Sequence, residues 1–150
     1  MGALVAYDYA VLRAVPHPQL GAAVWSVPVG VVVHARTAGF LELAVVDDEG
    51  WLGARVPGAD VGLLARYLRA CRAVCRGEAA GEGGWVHPVA LAPPSERFHW
   101  ITAPRSDVLQ CAPAHGGLGV DPAAELARLF AAYVVGAAAD AAGSRSTTTV

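Results

Sequence analysis

The chain has 150 residues, a formal net charge of -2 and a hydrophobic fraction of 55%, with only 16% charged residues. That length and apolar content predict one domain able to bury roughly two-thirds of its unfolded surface, and they argue against disorder along the whole chain. All 11 basic residues are Arg, so Schiff-base and Walker lysines are excluded, and the negative balance counts against a general nucleic-acid binder.

Residues 4 to 15 alternate Tyr7, Tyr9, Val11 and Arg13 with Asp8, Ala10, Leu12 and Ala14, which predicts a strand ended by Pro16-His17-Pro18. Val29 to Ala35 is a continuous β-branched run suited to a central strand. Two further strands are read over Phe40 to Val46 and Trp51 to Val56, joined as a hairpin by Asp47-Asp48-Glu49-Gly50. A helix is predicted over about Val61 to Arg76, capped by Asp60 and stopped by Gly77. Val61, Leu64, Leu68, Cys71 and Cys75 share one face of it, and Arg66, Arg69, Arg72 and Arg76 another.

Glu78 to Gly84 reads as a Gly-rich linker and Trp85 to Pro94 as extended or irregular chain. Val108 to Ala112 is a candidate strand, and His115-Gly116-Gly117-Leu118-Gly119 a loop. Asp121-Pro122 opens a second helix with a cap and a first-position proline. Leu126, Leu129, Phe130, Tyr133, Val134 and Ala137 form its expected buried stripe. The expectation is an α+β fold: a small, mainly antiparallel sheet of about four to five strands with two principal helices packed on it. Residues 1–140 are read as one domain and 141–150 as a disordered tail. There is no opening signal peptide pattern and no uninterrupted apolar stretch of roughly 18 residues, so the expected compartment is the cytoplasm, with no membrane partner.

The densest chemistry lies in Glu96-Arg97-Phe98-His99-Trp100-Ile101-Thr102-Ala103-Pro104-Arg105-Ser106. Bounded by Pro93-Pro94 and containing Pro104, it is read as something other than one regular helix. Arg97 and Arg105 could hold a phosphate or carboxylate in bidentate fashion, with Ser106 beside them. Trp100 could stack on a ring, and His99 could move a proton. The plainer reading is a structural loop with Glu96 paired to an Arg and Trp100 in the core.

Gly116 and Gly117 lie shortly before a helix start, where their amides could approach an anion, with His115 as a second proton carrier. The plainer reading is a Gly-rich connection. A Ser106, His115 and Asp121 triad lacks a nucleophile-elbow context. Cys71, Cys75 and Cys111 suggest buried small hydrophobes and no disulfide framework. They form no zinc-ligand set, so neither metal nor cofactor is expected.

Tyr7-Asp8-Tyr9-Ala10-Val11-Leu12-Arg13, the Glu96 to Ser106 segment, His115-Gly116-Gly117-Leu118 and Asp121-Pro122 together resemble the bacterial domain-of-unknown-function family 3037 (DUF3037). The resemblance covers most of the chain. The family's Asn-Val-Gly-Val-Val segment corresponds here to Pro28-Val29-Gly30-Val31-Val32, with Pro28 in place of Asn, and residues 36–48 resemble an insertion forming an extra strand. Membership implies a small, uncharacterised cytoplasmic protein whose relatives often lie beside HipA-type kinases. It supplies no reaction. Two functions stay open: a non-catalytic accessory module binding a partner protein through the Arg97 to Ser106 region or the Arg stripe, and an enzyme or binding domain for a phosphorylated or other anionic small molecule. Single-stranded nucleic-acid binding by Trp100 and nearby arginines is a weaker third.

Overall fold

The computed structural model describes residues 2–16, 26–78, 87–105 and 107–139. The expected strand stop at His17-Pro18, most of the Gly-rich linker, Trp85, Ser106 and the tail from residue 140 lie outside them.

The fold is α+β, with five antiparallel strands in one sheet. Strand β1 (Val5–Ala14) pairs with β2 (Val27–Ala35), and β2 pairs with β3 (Phe40–Val45). The other edge of β1 is shared by two short strands in succession: β4 (Leu109–Cys111) pairs with its C-terminal end and β5 (His115–Gly119) with its N-terminal end. Residues 36–48 thus supply β3, an edge strand reached through Gly39 at φ 63, a conformation glycine adopts without strain.

Both sheet faces are covered. Leu12, Ala14, Val27 and Val32 meet Leu64, Leu68 and Ile101 on one face, whereas Val11, Val31 and Val33 meet Leu126 and Leu129 on the other. Plain alternation would put Val29 with Val31 and Val33. A bulge between Leu12 and Arg13 sets Leu12 opposite Gly30 and Arg13 opposite Pro28, so Val27 and Val29 turn to the first face.

The first face carries α1 (Glu49–Arg55), α2 (Val61–Cys75) and α3 (Pro94–Thr102). The expected strand over Trp51 to Val56 is instead α1. Asp48 accepts a hydrogen bond from Trp51 N at 2.7 Å, so the residues read as a hairpin turn act as a helix cap. Leu52 and Val56, four apart, are both fully buried while Ala54 between them is exposed, which fits a helical period and not a strand, where all three would share a face. Helix α2 matches expectation. Asp60 caps it through Leu63 N, and Gly77 at φ 68 closes it, its N–H donating to Val74 O and that of Glu78 to Ala73 O.

Helix α4 (Pro122–Phe130) covers the second face, and Asp121 caps it through Ala123 N. It runs on through a π turn at Ala131–Val135 to Ala139. The π turn inserts a residue into the helical period. Hence Val134 is buried and Tyr133, expected in the stripe, is turned out. By length and composition Pro122–Ala139 could cross a membrane, but Leu126, Leu129 and Val134 are buried against the sheet.

Candidate functional site

Glu96 to Thr102 lies within α3, because Pro94 sits in the first turn, where its missing N–H costs nothing. Ala103, Pro104 and Arg105 leave the helix. Phe98 and Ile101 point inward and are buried, while Glu96 and His99 are exposed. Trp100 is half-buried against the core.

Arg97 serves the end of α2. Its Nη1 donates to Cys75 O at 2.7 Å and to Val74 O at 3.3 Å, and its Nε donates to Ala92 O at 3.0 Å. The carbonyls at a helix C-terminus lack partners and carry the negative end of the dipole, so a guanidinium suits them. Gly77 leaves room: a Cβ there would come within 3.0 Å of Arg97 Nη1. Arg105 does the same for α3, donating from Nη2 to Trp100 O at 2.6 Å and from Nη1 to Ile101 O at 3.0 Å. Its guanidinium lies over the Trp100 ring, 4.7 Å from the centroid, and the His87 ring lies 4.6 Å from the same ring.

A cleft of about 210 Å³ opens beside this pair, lined by Tyr67, Cys71, Trp100, Arg105, Asp107 and Leu109. It joins one face of α2 to the end of α3 and the start of β4. Burial pushes the Cys71 thiol up to about 11, against the opposing pull of Arg105. Cys111 is also raised by burial to about 11, and burial drives Cys75 higher still. Burial thus favours the neutral thiol at all three positions. Among the described residues no three His, Cys, Asp or Glu side chains form a metal-binding group.

The other sequence-derived candidates lie elsewhere. His99 is exposed on α3, over the first sheet face. His115 is exposed on β5 with its ring 5.8 Å from Tyr9, on the α4 side. The expected His115–Gly119 loop is strand β5, with Gly117 paired to Tyr7 and Gly116 to Asp8. The Tyr7 ring fills the space over Gly117, where a Cβ would lie 2.4 Å from Tyr7 Cζ. An aromatic side chain laid across a facing glycine is a known sheet device. Gly117 therefore serves strand packing, and Gly116 lies in the ladder opposite Asp8, both within β5 rather than at a helix N-terminus. Of the arginine stripe on α2, Arg72 pairs with Asp47 at 3.2 Å and Arg76 with Glu42 at 3.1 Å, tying α2 to β3 and the segment after it.

One polar cluster has no forerunner in the sequence reading. Tyr7 Oη donates to Glu125 Oε2 at 2.8 Å, and Arg128 Nη2 donates to the same oxygen at 2.7 Å. Nearby, Tyr9 and Tyr133 hydroxyls are 3.3 Å apart. Arg128 and then Tyr7 hold the Glu125 carboxyl below its ordinary range. Burial, then the bond to Glu125, raises Tyr7. The available signal was the Tyr7/Tyr9 spacing on β1 together with Glu125 and Arg128 at i, i+3 on the helix.

A small α+β protein with a shallow aromatic–arginine cleft is the class these features define. The family described as Protein of unknown function (DUF3037) matches residues 9–134, and the chain belongs to that family. No curated protein and no solved structure matches it.

Proposed function

We propose that this protein is a non-catalytic accessory module that docks a partner protein in the cleft between α2, the end of α3 and β4, and that a HipA-type kinase is the partner to test first. The observation that carries this reading is where the guanidinium donors go. A catalytic or tight anion site needs donors converging on one point. Here Arg97 spends its bonds on three carbonyls and Arg105 on two, while His99 and His115 lie on different faces. The cleft offers Tyr67, Trp100 and a guanidinium already stacked in place. Tyr, Trp and Arg dominate protein–protein hot spots, and an ordered side chain loses little entropy on docking.

The test is titration of the purified protein with a HipA-type kinase encoded beside it, by calorimetry. Tyr67→Ala and Asp107→Arg change only the rim of the cleft. Each is expected to weaken the complex about tenfold, or ~1.4 kcal/mol, with an unchanged circular dichroism spectrum. Absence of a complex, or one indifferent to both substitutions, rejects the reading. A phosphorylated or other anionic small molecule is the second reading, favoured by Arg105 lining a concave cavity. In that case a panel of phosphorylated metabolites raises the melting temperature of the wild type.

A further inference from the structure

We propose that the protein forms a two-fold symmetric dimer in which β5 pairs antiparallel with β5 of a second copy, joining two sheets into one. Among the described strands β5 pairs only with β1, so its outer edge presents unpaired backbone donors and acceptors. Natural sheets protect such edges with Lys, Pro, inward charges or bulges. The opposite edge follows that rule: β3 carries Glu42, tied to Arg76 of the turn after α2. Strand β5, His115-Gly116-Gly117-Leu118-Gly119, contains no Lys, Pro or acidic residue.

The sequence of β5 is complementary to itself in one register. Centred on Gly117, antiparallel pairing sets Gly116 opposite Leu118 of the second copy and His115 opposite its Gly119. Leu118 is 65% exposed. A Cβ on Gly116 would meet nothing closer than 4.0 Å, so that site has room to receive the leucine. Leu4 and Val120, also exposed, extend the apolar surface at the end of the same strands.

On the other face polar groups meet. The Glu125 side chain lies over Gly119, its Oε1 2.9 Å from where a Cβ would stand. His115 of the second copy, opposite Gly119, therefore arrives beside an ionised carboxylate, and symmetry makes the contact twice. A slip by one residue would turn every side chain to the wrong face, so the register is specified. The edge shares no residue with the α2–α3 cleft, and the two proposals fail separately.

Sedimentation velocity of the full chain tests the association, because a self-association equilibrium depends on protomer concentration. A monomer–dimer equilibrium is expected, and Leu118→Lys is expected to abolish the dimer by placing a charge on the edge. The register is tested by oxidising variants that each carry one added cysteine, in a Cys111→Ser background that leaves only the buried Cys71 and Cys75 besides it. A mixture of Gly116→Cys and Leu118→Cys proteins should give a disulfide-linked dimer that neither gives alone. A monomer at every concentration, a dimer that survives Leu118→Lys, or cross-linking by either variant alone as efficient as by the mixture overturns the proposal. If Leu118→Lys fails to fold, the cross-link pattern still decides.

Discussion

Arg97 meets three backbone carbonyls, two of them at the end of a helix more than twenty residues away. Hydrogen bonds from charged groups contribute about 1.5–3 kcal/mol each, and a carbonyl stripped of its partner adds a desolvation cost. Arg97→Met keeps the apolar stem and removes the fork. It is expected to lower unfolding stability by about 2–3 kcal/mol in urea denaturation, and Arg97→Lys is expected to recover little, because a point charge cannot span the fork geometry. An unchanged urea midpoint for Arg97→Met would show that the helix end does not need it. The sequence offered Arg97 and Arg105 as ligand-binding candidates, and the structure sets their donors on backbone carbonyls. Their use could not be read, because carbonyls carry no side-chain signature and, for Arg97, two of them belong to α2.

His34 is a second residue whose role depends on its surroundings. It lies buried on β2, with its ring 5.1 Å from Phe98. Burial lowers its pKa, Asp8 opposes that shift, and His99, Arg36 and Arg97 add to it. The folded state therefore favours the neutral imidazole, and the unfolded chain binds the proton more readily. Stability is fully present above the unfolded value of about 6.5 and falls as pH drops through it. Unfolding free energies measured between pH 7 and pH 5 should decline for the wild type and be flatter for His34→Gln. Parallel profiles would remove His34 as the cause.

At the scale of elements, strongly periodic segments with good caps were legible. Helices α2 and α4 begin where Asp60 and Asp121-Pro122 predict, β1 follows the alternation of Tyr7 to Ala14, and β2 starts at Val27, two residues before the run read from Val29. Short segments were not. Trp51 to Val56 is β-branched and aromatic enough to read as a strand, but Asp48 caps it as a helix and Leu52 and Val56 anchor it by burial. The π turn displaced Tyr133 from its expected stripe by one residue, which no local propensity announces.

Strand β5 reads as a loop because three of its five residues are glycine, and glycine disfavours strands unless something fills its space. The Tyr7 ring does so. Gly117→Ala would set a Cβ against that ring and is expected to cost about 1–3 kcal/mol of stability by overpacking. Gly116→Ala, with nothing closer than 4.0 Å, should cost much less. Thermal denaturation of the two variants in dilute solution gives the comparison, and equal losses would mean that Tyr7 does not lie across Gly117.

At the scale of the molecule, the sheet carries two clusters, one under α1, α2 and α3 and one under α4. This arrangement fixes where chemistry can be displayed. The α3 segment is anchored inward by Phe98 and Ile101, so Trp100 and Arg105 come to the mouth of a cleft while His99 stays outside it. The sequence by itself determined the α+β class, the antiparallel core strands, the capped helices and membership of the DUF3037 family. These follow from periodicity, capping and a long motif, all carried by residues within a few positions of each other. Only the tertiary structure decided that Arg97 and Arg105 close helix ends, that the glycines of β5 lie beneath Tyr7 and Glu125, and that β5 leaves an open edge. The Arg97–Cys75 bond spans 22 positions and the Tyr7–Glu125 bond 118. They exist only once the sheet has set its register and brought both layers of helices onto it.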